Sequence, residues 1–438
     1  MAAIRIAGRR SLTILKKHFR PTRSAKATWP PFQMRTGWFH ADSGERLDEV
    51  MAVHMPAGRS YTGLNQAEIY CHGGAEIVKL LLQQLLTSGA RAAEPGEFTR
   101  LAFLNGRIDL TRAEAVAEVI AANTQTSLAV SREHLTGAYA EHIAVLRNNL
   151  VSILAEIEAG VDYPEEDITP DDAKTSRALG ELANSVDRLN RSYGSGRILR
   201  EGFKLVIGGR PNVGKSSLFN LLLKQQRALV APTPGTTRDY LSEWIELDGL
   251  PVNIVDTAGL RLHGGSVEKA GQQAARRLVS ECDLLLWMVD ISRKKSLAEA
   301  QGDLTKLNVQ NYLLVGNKID LIDMAAEGVT EAAEDIIAVS CLTRRGMAQL
   351  TKRLAKRVRS SMPDLTSGLV VTSARHRQKL QTAARQMKKA SRTLRSGGSP
   401  ELVVFEMRLA VDALDEITGK IYNEEILDQI FSKFCIGK

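Results

Sequence analysis

The octapeptide Gly209-Arg210-Pro211-Asn212-Val213-Gly214-Lys215-Ser216 constrains this 438-residue chain more than any other stretch of it. It follows a short apolar run at 203–207 and precedes Ser217-Leu218-Phe219-Asn220-Leu221-Leu222, so a strand, a glycine loop and a helix stand in the order that G-x-x-x-x-G-K-[ST] requires. The glycines let backbone N–H groups curl around phosphate oxygens at a helix N-terminus, where the macrodipole favours anions. Lys215 is then placed to reach the β- and γ-phosphates and Ser216 to reach Mg²⁺, with Asn212, Val213, Gly214 and Ser217 lining the nucleotide.

Four further elements follow at workable spacing. Gly235-Thr236-Thr237-Arg238-Asp239 lies in a proline-bearing loop, where the Thr237 hydroxyl can close on Mg²⁺ once a γ-phosphate is present; Ala231, Pro232, Thr233, Pro234, Gly235 and Thr236 make up the rest of that nucleotide-facing loop. Pro232 and Pro234 pre-set φ and stiffen it. Asp256-Thr257-Ala258-Gly259 comes after the apolar run 252–255, where an acidic residue supports the Mg²⁺ shell and Gly259 can turn its N–H onto the γ-phosphate. Asn317-Lys318-Ile319-Asp320 follows the strand-like 312–316. A carboxylate at Asp320 can accept from guanine N1–H and the exocyclic amine, which adenine does not offer, so the pattern selects GTP over ATP. Ser340-Cys341, after the apolar 336–339, suits the loop that packs on the base.

Length and composition set the surroundings. A chain this long exceeds one core, so two or three domains are expected, and no apolar stretch reaches the length of a membrane span. Four scattered cysteines, Cys71, Cys282, Cys341 and Cys435, form no C-x-x-C pair, which fits a reducing compartment, the cytoplasm. The net charge of +8 permits a polyanionic partner such as RNA. Residues 1–26 hold eight basic and no acidic side chains, a composition that mimics a transit peptide. From about 112 to 200, and again over 370–395 and 401–431, apolar residues recur at three and four, the period of helices. The strand-like 68–72, a Gly73-Gly74 turn and a helix over 75–88 suggest a small mixed domain at the start. The expected fold is multidomain α/β and α: a small α+β domain (1–105), a helical bundle in two parts (106–200 and 361–438), and a Ras-like P-loop GTPase domain (201–360) inserted between them.

Several stretches together resemble the MnmE (TrmE) family of tRNA uridine-modification GTPases: Gly-Arg-Pro-Asn-x-Gly-Lys-Ser-Ser at 209–217, Pro-Gly-Thr-Thr-Arg-Asp at 234–239, Asp-Thr-Ala-Gly-Leu-Arg at 256–261, Cys-His-Gly-Gly at 71–74, Pro-Gly-Glu-Phe-Thr-Arg at 95–100 and the terminal Phe-Cys-Ile-Gly-Lys. The resemblance implies a homodimer that binds a 5,10-methylenetetrahydrofolate-type one-carbon donor. It also implies action with the FAD-dependent partner MnmG, in a heterotetramer, on C5 of the wobble uridine of certain tRNAs. It carries over K⁺ coordination to Asn212 with Ala231, Thr233 and Thr236, and orientation of the attacking water to Glu268. The folate site would use Arg5, Glu68, Arg107 and Lys438. Cys435 would either sit near the one-carbon chemistry or be a small buried residue.

Two departures stand out. The family's usual first strand and Pro-Pro-Gly-Arg-Gly-Gly-like loop are missing, with Met1 aligning just after them, and Leu64-Asn65 replaces a usual Glu-Asp pair. A ribosome-assembly GTPase would share the nucleotide motifs but has no reason to carry the Cys-Ile-Gly-Lys end or a split helical domain, and a purely regulatory GTPase would be supported if no folate bound.

Overall fold

The structure, a computed structural model, describes residues 1–22, 29–162, 171–229, 241–256, 277–293, 295–322, 336–362 and 369–437. Its internal contacts divide the chain into two compact units. One comprises Met1–Ala117, His134–Arg147 and Asp412–Lys438; the other comprises Glu118–Glu133 and Asn148–Val411.

The first unit opens with β1 (Ala2–Ala7), α1 (Ser11–His18), β2 (Phe19–Pro21), β3 (Arg35–His40), β4 (Arg46–Met55), β5 (Gln66–Cys71), α2 (Ala75–Thr87) and α3 (Glu97–Leu104), and α4 (Leu110–Ala121) begins within it. The strands form one antiparallel sheet in the order β1-β5-β4-β3-β2. Side chains alternate across a strand, so one face collects Ile4, Ile6, Phe39, Val50, Ala52, Ala67 and Ile69, and Leu15, Leu81 and Leu85 of α1 and α2 cover it. The transit-like stretch is therefore working structure through residue 21: Ile4, Ile6, Leu15 and Phe19 are core. The register places Arg5 opposite Glu68 on the other face of the sheet.

A second apolar cluster in this unit joins Phe103, Leu110 and Ala113 to Leu427, Phe431 and Phe434. The three-and-four periodicity predicts continuous helix over 401–431, but two helices are found, ending at Thr418 and restarting at Glu424. The break has a local cause. Gly419 sits at φ +81° against Leu110 and Phe103, where a Cβ would come within 2.7 Å of the Leu110 side chain, and Asn423 caps the next helix by accepting from the Ile426 N–H at 2.8 Å.

Continuing along the chain are α5 (Gln125–Thr136), α6 (Ala138–Asp162), α7 (Asp172–Arg191), α8 (Tyr193–Glu201), β6 (Phe203–Gly209), α9 (Lys215–Gln225), β7 (Arg227–Leu229), β8 (Leu241–Leu247), β9 (Leu250–Asp256), β10 (Leu284–Asp290), α10 (Ser296–Leu307), β11 (Tyr312–Asn317), β12 (Ile336–Ala338), α11 (Met347–Ser360), α12 (Ala374–Arg395), α13 (Pro400–Thr418) and α14 (Glu424–Phe431). The second unit holds a seven-stranded sheet in the order β12-β11-β10-β6-β9-β8-β7. Strands β12 to β9 in that order run parallel, and β8 and β7 are antiparallel additions. Strands buried on both faces read as near-continuous apolar runs, as Leu284–Asp290 does. Away from this sheet α7 and α12 pack side by side, and the buried Ser176 hydroxyl donates to the Ser391 carbonyl at 2.9 Å. Among the described residues no helix is long and apolar enough to cross a membrane.

Candidate nucleotide site and a second polar cluster

In an open parallel sheet, ligands sit beyond the carboxyl ends of the strands where the strand order reverses. Here that point lies at the end of β6, flanked by β10 on one side and β9 on the other. The loop from Gly209 to Gly214 leaves β6 and delivers the chain to α9. Gly209, at φ +140°, passes so close to β10 that a Cβ would come within 2.5 Å of the Met288 carbonyl oxygen. Gly214, at φ +102°, lies so close to the Asn317 amide that any side chain would overlap it. Lys215 is buried, and its Nζ donates to the Arg210 carbonyl at 2.9 Å, folding the lysine back over the loop. The Ser216 hydroxyl donates to Asp256 Oδ2 at 2.9 Å. A hydroxyl and a carboxylate thus converge at the first turn of α9, a hard oxygen set that fits Mg²⁺. Asn212 stands exposed at the crown of the loop with φ +63°.

The base-reading end is joined to this loop by one side chain. Asn317 Nδ2 donates to the Val213 carbonyl at 2.8 Å while its Oδ1 accepts from the Cys341 N–H at 3.0 Å. Lys318 adopts φ +71° and pairs with Asp290 at 2.6 Å. Burial works against ionisation of Asp290, but the bonds from Lys318 and Ser292 outweigh it and hold its carboxyl below the usual range. Asp320 is exposed. Burial, with Asp320 nearby, pushes the Cys341 thiol up to about 11, so it is neutral at physiological pH. Ser340 is fully buried; its hydroxyl accepts from the Thr343 N–H at 3.0 Å and shapes the loop.

Asn212, Val213, Gly214, Lys215, Ser216, Ser217, Asp256, Asn317, Lys318, Asp320, Ser340 and Cys341 are all described, and the hydrogen bonds above tie the phosphate loop to the base-reading loops. The expected site residues Ala231, Pro232, Thr233, Pro234, Gly235, Thr236, Thr237, Thr257, Ala258, Gly259, Glu268 and Lys438 lie outside the described residues. Sequence reasoning missed two supports. Asp290 anchors Lys318, and Arg210 is held on α10 by Glu299 at 2.6 Å and Asp303 at 2.8 Å. An acidic residue closing the apolar strand 284–289 is the only signal that could have suggested the first.

The first unit carries the second cluster. Arg5 Nε donates to Glu68 Oε1 at 2.8 Å, Gln66 Nε2 to the same oxygen at 3.0 Å, and the Tyr70 hydroxyl to Oε2 at 2.6 Å. The Arg5 guanidinium also lies over the Tyr61 and Phe98 rings, and its Nη1 donates to the Gly437 carbonyl at 3.4 Å. Pro95 bridges to Ile436, and the Gly96 N–H donates to the Cys435 carbonyl at 3.4 Å. Two motifs about 340 residues apart in sequence, 95–98 and 435–437, therefore meet beside one arginine–carboxylate pair. Cys435 is exposed, which corrects the view of it as a small buried residue. Arg107 is exposed and donates to the Gly58 carbonyl at 2.9 Å, supporting the loop that carries Tyr61 rather than touching Arg5 or Glu68 in any hydrogen bond.

Burial raises the Glu68 carboxyl, but the bonds from Tyr70 and Arg5 outweigh it and leave it below the ordinary value of 4.5. A depressed folded-state value means stabilisation that is present above the unfolded value and lost as pH falls through the folded one. Glu68→Gln is therefore expected to lower the stability of this unit by about 1–3 kcal/mol at pH 7. The deficit should shrink in thermal melts taken below about pH 4. An equal deficit at both pH values would assign the effect to packing instead of charge.

A phosphate loop at the switch point of a parallel sheet, joined through Asn317 to an Asn-Lys-x-Asp base reader, defines a P-loop GTPase. Comparison with known proteins narrows the class. The family model for the MnmE helical domain matches residues 110–435, and that for the GTP-binding protein TrmE N-terminus matches residues 1–107. The tRNA modification GTPase MnmE of Aquifex aeolicus (strain VF5) is 38% identical over 437 residues, covering 99% of this chain and 96% of the relative. Those of Roseiflexus sp. (strain RS-1) and Symbiobacterium thermophilum are each 40% identical, again over 99% of this chain and over 95% and 96% of their own lengths. The chain belongs to the MnmE (TrmE) family of tRNA modification GTPases. A solved structure of Aquifex aeolicus Era aligns over 42% of this chain at 24% identity and a TM-score of 0.27, too loosely to add to the topology above.

Proposed function

We propose that this chain is a K⁺-dependent GTP hydrolase that, with MnmG, installs an aminomethyl or carboxymethylaminomethyl group at C5 of the wobble uridine of certain tRNAs, drawing one carbon from a tetrahydrofolate. The meeting of residues 95–98 and 435–437 at the Arg5–Glu68 pair, lined by Tyr61, Tyr70 and Phe98, supports this reading over a generic GTPase. That arrangement suits a flat, hydrogen-bonding pterin with an anionic tail, and Lys438 would add a second cation.

In the nucleotide site, Lys215 holds the β- and γ-phosphates, Ser216, supported by Asp256, and Thr237 hold Mg²⁺, and Asp320 selects guanine. The Mg²⁺ so held supplies charge neutralisation to the phosphate oxygens. Asn212, with the carbonyls of Ala231, Thr233 and Thr236, offers K⁺ an oxygen-rich seat where other GTPases place an arginine. Glu268 orients the attacking water. The G domain (201–360) is read as inserted between the two parts of the helical domain (106–200 and 361–438), and the chain as a homodimer through residues 1–105.

The test is mass spectrometry of wobble nucleosides from a bacterium lacking its own MnmE, with and without this chain expressed. Restored C5-substituted uridine is the expected result. Unmodified uridine despite intact GTP hydrolysis would discard the modification chemistry and leave a GTPase.

A further inference from the structure

The helix α12, Ala374–Arg395, carries eight basic residues and no acidic one, and α11, Met347–Ser360, carries five and none. The whole chain has a net charge of only +8, so everything outside these two helices is net acidic. On α12 the charge is also ordered. Leu380, Ala383, Ala384, Met387, Ala390 and Leu394 are buried, which fixes the helix against α7. The outward positions Arg385, Lys389 and Arg392, four and three residues apart, form one exposed stripe that Arg395 continues. Ten residues of helix span about 15 Å.

Some of these cations are engaged: Lys388 with Asp187, Lys389 at 3.0 Å from Glu406, and Arg395, whose Nε donates to the Ser176 hydroxyl at 2.8 Å. Arg385 and Arg392 make no ion pair or hydrogen bond among the described residues. A solvated helix face normally mixes signs, as α7 does with Asp172, Glu181 and Asp187 among its basic residues. Like charges three and four apart repel one another, and a polyanion laid along them relieves that repulsion. No Phe, Tyr or Trp occurs on α12 and its one histidine, His376, is buried, so the stripe has phosphate-binding groups but no exposed aromatic ring on which a base could stack.

We propose that the α12 stripe of Arg385, Lys389 and Arg392 is a docking surface for the phosphate backbone of tRNA. It rests on the reading that this chain acts on tRNA, and it deepens that reading by saying where the RNA lies. The test is binding of an unmodified tRNA transcript to the full chain across a salt series, comparing the native protein with Arg385→Glu/Arg392→Glu and with a control of equal charge change elsewhere, Lys79→Glu/Lys224→Glu. The stripe variant is expected to bind at least ~10-fold more weakly near physiological salt, with the slope of log K against log salt shallower by about 1.5. Its GTP hydrolysis and thermal midpoint should match those of the native chain. Native-like affinity and slope in the stripe variant would overturn the proposal, as would an equal loss in the control. A native chain that binds no tRNA would overturn both the stripe and the tRNA reading, an outcome distinct from native binding that the variant leaves untouched. Loss of an acidic protein partner with tRNA binding intact would also overturn it, giving the stripe to protein instead.

Discussion

Lys215→Ala is expected to weaken GTP binding by ~100-fold or more while leaving the fold intact. The ammonium group is buried at the start of α9, where it donates to the neutral backbone carbonyl of Arg210. Exchanging that neutral partner for phosphate oxygens gives charge-assisted bonds worth about 1.5–3 kcal/mol each, and two of them account for the loss. The loop itself is held by Gly209, Gly214 and the Asn317 amide, none of which the substitution touches, so the thermal midpoint should barely move. Titration with a fluorescent GTP analogue reads the effect directly. An affinity within about threefold of native would mean that Lys215 does not meet the phosphates.

Asp320→Asn should change which base the site accepts. The native carboxylate offers only acceptors, matching the guanine N1–H and amine, and its exposed position leaves both oxygens available to a base. An amide can satisfy one of those donors but presents its own NH₂ to the other, leaving two donors face to face. Sites that lose a matched polar pair discriminate by factors of roughly 10⁴ or more. GTP hydrolysis at low substrate should therefore fall by about 10³-fold or more, and xanthosine triphosphate, whose C2 oxygen accepts where guanine donates, should become the better substrate. Competition assays between GTP and xanthosine triphosphate measure this. Retained GTP preference would move the base-reading role away from Asp320.

The frame of the candidate nucleotide site was legible from sequence because phosphate binding demands fixed spacings: β6, α9, β9 and β11 fall where the apolar runs around the motifs put them, while the expected residues 231–237, 257–259 and 268 lie outside the described residues. What periodicity could not convey is which distant segment closes a local structure. Nothing in the run 401–431 announces that Gly419 must pass Leu110 and Phe103 at close range, since that constraint comes from two other helices, α4 and α3. Arg5, Glu68 and Gly437 likewise became one cluster only through the register of β1 on β5 and the bridge from Pro95 to Ile436. The acidic side chains that hold Arg210 carry no sequence signal for the same reason, each being ordinary in its own neighbourhood.

The return of Asp412–Lys438 to the unit that begins at Met1 bears on the order of manufacture. A ribosome makes the sheet of that unit early, but Leu427, Phe431 and Phe434, which pack on Phe103 and Leu110, emerge more than 300 residues later. At synthesis rates of about 5–20 residues per second, Phe103 and Leu110 wait roughly 15–60 s for their partners while the nucleotide-binding sheet is being made. The part of the molecule translated first is the part completed last, and its exposed apolar edge during that interval is where a chaperone would bind and where a truncated product would be most open to proteolysis.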